Sequence, residues 1–199
     1  MNNQNFASID LELNQPSNKI IQVGIAIGNI KQIPTDYVVR KWYIDPKESI
    51  DKFIVDLTGI TDSDIKSYSV SHQTVATELS ELVKKYQPWL NAVTWGFNDC
   101  DVLRHEFESN NVEFKHFGGR YIDVKTIYNF LQFSQDRSPK GGLRDAMSVK
   151  QVYFDGLEHR ADIDAQNTLK MFFGLMRQQS KMFDLFNNDQ YNNNLAEKE

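Results

Sequence analysis

FASIDLEL, residues 6–13, alternates apolar side chains with Ser8, Asp10 and Glu12. Successive side chains of an extended chain point to opposite faces, so Asp10 and Glu12 share one face of a predicted strand and Ile9, Leu11 and Leu13 share the other. These apolar neighbours draw the two carboxylates into a partly dry site, where their mutual repulsion is costly unless a cation lies between them. An acidic pair on an apolar strand therefore points to a metal site. The competing reading is an edge strand whose Asp and Glu face water. The remainder of the chain decides between them.

Outward from this strand, NQPSN (residues 14–18) is turn chemistry, and KIIQVGIAIGNI (19–30) is a second predicted strand rich in β-branched residues. YVVRKWYI (37–44) reads as a third, ended by Asp45-Pro46, and the short connections favour an antiparallel meander. A mixed region at 50–65 contains LTGITDSD, in which Thr61 is placed to cap a short helix. Residues 73–86 carry Val75, Leu79, Leu82 and Val83 at helical spacing, with Pro88 as the stop. A short buried strand is expected at 92–95, a helix at 99–108, a strand at 120–124 and a helix at 124–133. A loop comes next at 134–142, then helices at 143–150 and 161–176. Strands alternating with helices define an α/β protein.

With 199 residues, 40% of them hydrophobic, the chain can bury one sizeable core, expected over residues 1–180. The polar, Asn-rich end from Asn187 reads as a disordered tail. No apolar run approaches the roughly 18 residues of a membrane helix. MNNQNF at the start lacks the basic and apolar blocks of a signal peptide, so the protein is expected to be soluble and cytoplasmic. One cysteine, Cys100, excludes an internal disulfide framework and a cysteine-based zinc cluster. A net charge of −5 argues against electrostatic coating of duplex DNA. If four of the 27 acids are metal ligands, however, the remaining 23 nearly match the 22 basic residues.

Helical phase selects two further acids. In WGFNDCDVLRHEF (95–107) the face of Asp99 continues through Val102, Leu103 and Phe107, whereas that of Asp101 continues through Arg104, His105 and Glu108. Asp99 is thus expected to point inward just beyond a strand's carboxyl end, where open α/β sheets place their sites. Helix capping is its alternative role. In EHRADIDAQNTLKMFFGLM (158–176), Asp164 falls with Ala161, Ala165, Thr168, Phe172 and Leu175, and Asp162 falls with Gln166 and Lys170. Asp164 is the acid expected to be buried. His159, five positions ahead, stands where it can reach a site lined by Asp164.

Taken together, Asp10-x-Glu12, Asp99 after Trp95-Gly96, and His159-x-Ala161-x-x-Asp164 resemble, in order and separation, the three motifs of the DEDDh exonucleases of the DnaQ-like superfamily. The resemblance spans residues 5–177. LTGIT at 57–61 is similar to the linker these enzymes carry after their third strand. With WGFND, YIDVKTIY (121–128) and GLRDAM (142–147), it makes the chain most similar to the KapD-like, RNA-interference-inhibitor exonuclease branch. Two positions depart from the family's usual pattern: Leu13, where Thr or Ser is common, and Gln22, where Glu is frequent.

The resemblance implies a ribonuclease H-like α/β fold, with a mixed sheet of three antiparallel and then parallel strands flanked by helices. It implies 3′→5′ exonuclease activity on single-stranded RNA or DNA, releasing nucleoside 5′-monophosphates. Asp10, Glu12, Asp99 and Asp164 would hold two divalent ions, Mg²⁺ or Mn²⁺, with Asp10 as the bridge. Hard cations of this kind prefer carboxylate oxygens. His159, with a reference pKa near 6.5, would act as general base without binding metal. Leu11, Leu13 and Ile60 become candidate contacts for the terminal nucleotide, with core packing as the alternative. Trp95 is expected beneath the site, and Lys140 and Arg144 are candidate phosphate contacts. A non-catalytic nucleic-acid-binding or polymerase-accessory module of the same fold is the rival reading, opposed by the intact five-residue set. A metal-dependent hydrolase of nucleotides is a third. With no polymerase attached, a free-standing trimming role is expected over proofreading.

Overall fold

The computed structural model describes residues 4–32, 35–96, 99–117, 119–139 and 141–186, with the backbone alone for 180–186. Strands β1 (Asn5–Leu13), β2 (Ile20–Asn29) and β3 (Val38–Ile44) form the expected antiparallel meander. They are followed by α1 (Lys52–Thr58), α2 (Asp62–Tyr68), β4 (Ser69–Val70), α3 (His72–Tyr86) and β5 (Ala92–Thr94). Next come α4 (Asp99–Ser109), β6 (Tyr121–Asp123), α5 (Val124–Phe133), α6 (Leu143–Val149) and α7 (Ala161–Phe186). The strand order is β4-β3-β2-β1-β5-β6, with β5 parallel to β1 and β6 parallel to β5. This is the mixed α/β sheet expected, three antiparallel strands continued by parallel ones. The two-residue β4, parallel to β3 at the edge, is an addition too short for any hydrophobic period to register.

Strand β1 is not an edge strand with its acids in water. It lies between β2 and β5, and helices cover both its faces. On one face Ala7, Ile9 and Leu11 join Ile27, Ile25 and Val23 beneath Val75 and Leu79 of α3 and Leu103 and Phe107 of α4. On the other, Ser8, Asp10 and Glu12 lie in register with Ala26, Gly24 and Gln22 on the side of α7. Each fully buried Ile or Leu stabilises the fold by about 1.5–3 kcal/mol. A one-residue slip would turn that whole row toward α7 and drive both carboxylates into the apolar layer. The apolar row therefore sets which way the acids point.

Short elements are held by local hydrogen bonds. Thr61 caps α2 through the amide of Asp64, whose carboxylate returns a bond to the Thr61 amide, the cap its position led us to expect. Helix α7 continues to Phe186, ten residues past the expected end at Met176, because neither glycine nor proline interrupts it there. Beyond Met176, Arg177 donates to the carbonyls of Ile30 and Gln32 and to Thr35. The expected tail, 187–199, lies outside the described residues. Among the described residues no helix is long and apolar enough to cross a membrane.

Candidate metal centre

Three elements deliver carboxylates to one end of the sheet. Asp10 and Glu12 come from the carboxyl end of β1, where the register with β2 shifts between Glu12 and Leu13, an irregularity that re-aims a strand's last side chains. Asp99 opens α4 just after β5. The chain leaving β5 is pinned at Gly96: the Thr94 hydroxyl donates to the Gly96 carbonyl at 2.8 Å, and the Gly96 amide donates to Asp123 at 3.0 Å. Gly96 adopts φ +95°, a conformation that admits glycine readily and other residues poorly. Asp123 also caps α5 through the Thr126 amide, so one carboxylate joins the site loop to a neighbouring helix.

Asp164 lies in the first turn of α7, which rests directly on the sheet at Gly24. A Cβ on Gly24 would overlap the Ala161 carbonyl group and the Asp162 amide. Gln22 Oε1 accepts the Ala161 amide at 2.8 Å, anchoring the helix start to the cross-strand partner of Glu12. This close seating corrects one expectation. Asp162, placed by helical phase on a face with Gln166 and Lys170 away from the acid expected to be buried, has a side chain only 14% exposed and pairs with Lys41 of β3 at 3.2 Å. With the turn flat on the sheet, both of its flanks face protein.

Asp10, Glu12 and Asp164 each bring a carboxylate oxygen to a point where all three lie within 4.8 Å of one another. Asp99 stands outside this trio but beside it, and its charge is the largest of the neighbouring charges raising the pKa of Asp10. Burial, helped by that repulsion, pushes Asp10 well above the carboxylate range. Burial and the charge of Asp164 push Glu12 up to about 8, although the Arg160 guanidinium pulls it down. Burial takes Asp99 to about 7, and takes Asp164 to about 6 against a hydrogen bond from the His159 amide. The buried Oδ1 of Asp164 has no hydrogen-bond partner among the described residues. Converging, desolvated, under-bonded carboxylates have the chemistry of a hard divalent cation site.

His159 precedes α7 at φ +59° and is exposed; its amide donates to Asp164 Oδ2 at 2.8 Å. Of the substrate candidates, Leu11 is 8% exposed and packs with half-buried Leu13 against the α3–α4 layer. Ile60 is fully buried among Ile21, Ile50, Ile54 and Ile65. Trp95 is half-buried against Tyr128, their rings 6.1 Å apart. Arg144 pairs with Glu158 at 2.9 Å and lies over the Phe154 ring, and Lys140 falls outside the described residues. Sequence reasoning missed Lys41, Tyr43, Asp123 and Arg160. Only Asp123 carried a local signal, its position just ahead of a predicted helix.

Carboxylates gathered at the strand ends of such a mixed α/β sheet are a donor set suited to a hard divalent cation. Residues 8–172 match the RNase T exonuclease family model, and the chain belongs to that exonuclease family. It is 28% identical over 177 residues to a PolC-type DNA polymerase III of Mycoplasmopsis pulmonis (strain UAB CTIP), covering 85% of this chain but only 11% of that protein. The fold is shared with the nuclease domain of 3′hExo, a DEDDh family member bound to rAMP. That match has a TM-score of 0.71 and 15% identity, over 89% of this chain and 94% of the other. It is shared too with E. coli exonuclease I in complex with a dA16 oligonucleotide, at TM-score 0.67 and 16% identity, over 92% and 43% of the two chains.

Proposed function

We propose that this chain is a metal-dependent 3′→5′ exonuclease that removes nucleoside 5′-monophosphates from single-stranded nucleic acid. The observation that carries the reading is the convergence of Asp10, Glu12 and Asp164, with Asp99 beside them, at the start of the helix that His159 precedes. Asp10, Glu12, Asp99 and Asp164 would hold two divalent ions, Mg²⁺ or Mn²⁺. Such ions would supply Lewis-acid activation of a water at neutral pH and positive charge for the phosphoryl oxygens. His159 takes the proton from the attacking water; its ring is exposed, and the hydrogen bond that its backbone amide donates to Asp164 Oδ2 keeps it beside the site. Leu13, next to Glu12 and still partly accessible, is assigned to the terminal base, whereas Leu11 and Ile60 are buried in the core. The ligands of the similar structures, an adenosine monophosphate and a single-stranded oligonucleotide, support a substrate of this class.

The test is a time course on 5′-labelled single-stranded RNA and DNA of one sequence, with Mg²⁺, Mn²⁺ or EDTA. A ladder shortening from the 3′ end, absent in EDTA, is expected, and the ratio of the two rates assigns the sugar preference. Cleavage inside the strand, shortening from the 5′ end, or undiminished hydrolysis in EDTA would overturn the reading.

A further inference from the structure

Two rungs of the sheet grip the start of α7. In one, Asp10, Gly24 and Lys41 are successive cross-strand partners, and in the other Glu12, Gln22 and Tyr43 are. Alternation puts all six residues on the side of α7. Each rung combines a site acid with a contact to the helix start. In the first, Gly24 seats the Ala161 backbone and Lys41 pairs with Asp162. In the second, Gln22 accepts the Ala161 amide, and the Tyr43 hydroxyl accepts from Arg160 Nη2 at 2.6 Å. Arg160 Nη1 also donates to the Thr58 carbonyl, at 3.5 Å, at the carboxyl end of α1. A planar guanidinium holding two acceptors in fixed directions has little freedom left.

Arg160 is the residue after His159, and the residue before it is held as well. Glu158 pairs with Arg144 of α6 at 2.9 Å, and the His159 amide is held by Asp164 of α7 at 2.8 Å. Three consecutive residues are therefore tied to different parts of the molecule: Glu158 to α6, His159 to α7, Arg160 to β3 and α1. His159 itself has φ +59°, in the left-handed region that residues with a Cβ occupy uncommonly. Among the described residues no hydrogen bond reaches its ring. Where the His159 side chain leaves the main chain is thus set by the backbone, and the backbone by these ties.

We infer that Tyr43, acting through Arg160, is a positioning residue for His159. The phenolic oxygen holds the guanidinium, the guanidinium holds the backbone at 160, and that backbone keeps His159 beside Asp164 of the acid cluster. This role rests on the reading of His159 as the general base. It gives a function to a strand tyrosine 117 residues from its partner in sequence and in no motif. Tyr43 is open to a test that leaves packing alone, because Tyr43→Phe removes one oxygen and keeps the ring beside Tyr68.

In the full-length protein, Tyr43→Phe is expected to lower kcat roughly ten- to a hundredfold, the scale of a catalytic group displaced by a fraction of an ångström to 1 Å. KM should be unchanged, as should Mn²⁺ affinity measured by titration without substrate. Arg160→Lys, which keeps the charge and loses the fork, should behave alike if Tyr43→Phe folds poorly. In a His159→Ala background, adding Tyr43→Phe should cost nothing more. A wild-type kcat in both variants, an equal loss with His159 already removed, or a parallel fall in Mn²⁺ affinity would overturn the inference. The underlying reading fails separately: His159→Ala with a full rate removes the general base itself, whereas a crippled His159→Ala with silent Tyr43→Phe removes only the positioning role.

Discussion

Glu12 is 9% exposed and is pushed upward by burial and by Asp164, so at neutral pH without metal it holds a proton that the unfolded chain has released. The same sign applies to Asp99, at about 7, and to Asp164, at about 6. For a carboxyl whose folded pKa is raised, the folded state binds more protons than the unfolded one between the two pKa values. Stability is then lost as pH rises from the ordinary carboxylate range toward the folded value. In EDTA the melting temperature should fall between pH about 5 and about 8. Mn²⁺ should flatten that slope, because the ion takes over from the protons. Glu12→Gln removes the charge at nearly constant shape. It should raise stability in EDTA at pH 8 on the order of 2 kcal/mol while abolishing most hydrolysis, since one unit of pKa shift corresponds to about 1.4 kcal/mol. Thermal melts with and without metal measure both effects, and a melting curve indifferent to pH in EDTA would contradict the desolvated cluster.

At the scale of elements, the junction of α7 with β2 governs the site. Because Gly24 faces the backbone of Ala161 and Asp162 rather than a flexible side chain, a methyl group there must push the helix away from the sheet. Gly24→Ala is expected to destabilise the protein by about 1–3 kcal/mol, the usual cost of overpacking. The activity loss should exceed what the unfolded fraction explains, because Asp164 moves away from Asp10 and Glu12. Circular dichroism melts and rates measured well below the melting temperature separate the two effects. Unaltered activity would mean that the helix start has slack the structure does not show. Periodicity identified most of these elements from sequence, and α5 matches its expected span, 124–133, residue for residue. It did not reveal that the first turn of α7 lies flat on β2 and β3, because that contact depends on a missing Cβ and on residues over a hundred positions apart.

At the scale of the whole molecule, the exonuclease family match ends at 172, and the packing of α7 onto the body continues through Leu175 and Arg177. Deleting residues 187–199 should leave melting temperature and hydrolysis unchanged. Truncation after 176 removes the Arg177 bonds to Ile30, Gln32 and Thr35 and should destabilise the fold by about 1–2 kcal/mol. Equal melting temperatures for the two truncations would show those bonds to be idle. The amino-acid sequence by itself determined the order of the longer strands and helices, which face of β1 carries acids, and the phase that sets Asp99 and Asp164 inward, because these result from periods of two and 3.6 residues acting locally. Only the tertiary structure decided that β1 is central rather than an edge, that Asp162 is paired by Lys41, and that Tyr43 reaches Arg160. Strand order, cross-strand register and helix seating arise from long-range packing, and no local pattern encodes which distant side chains will meet.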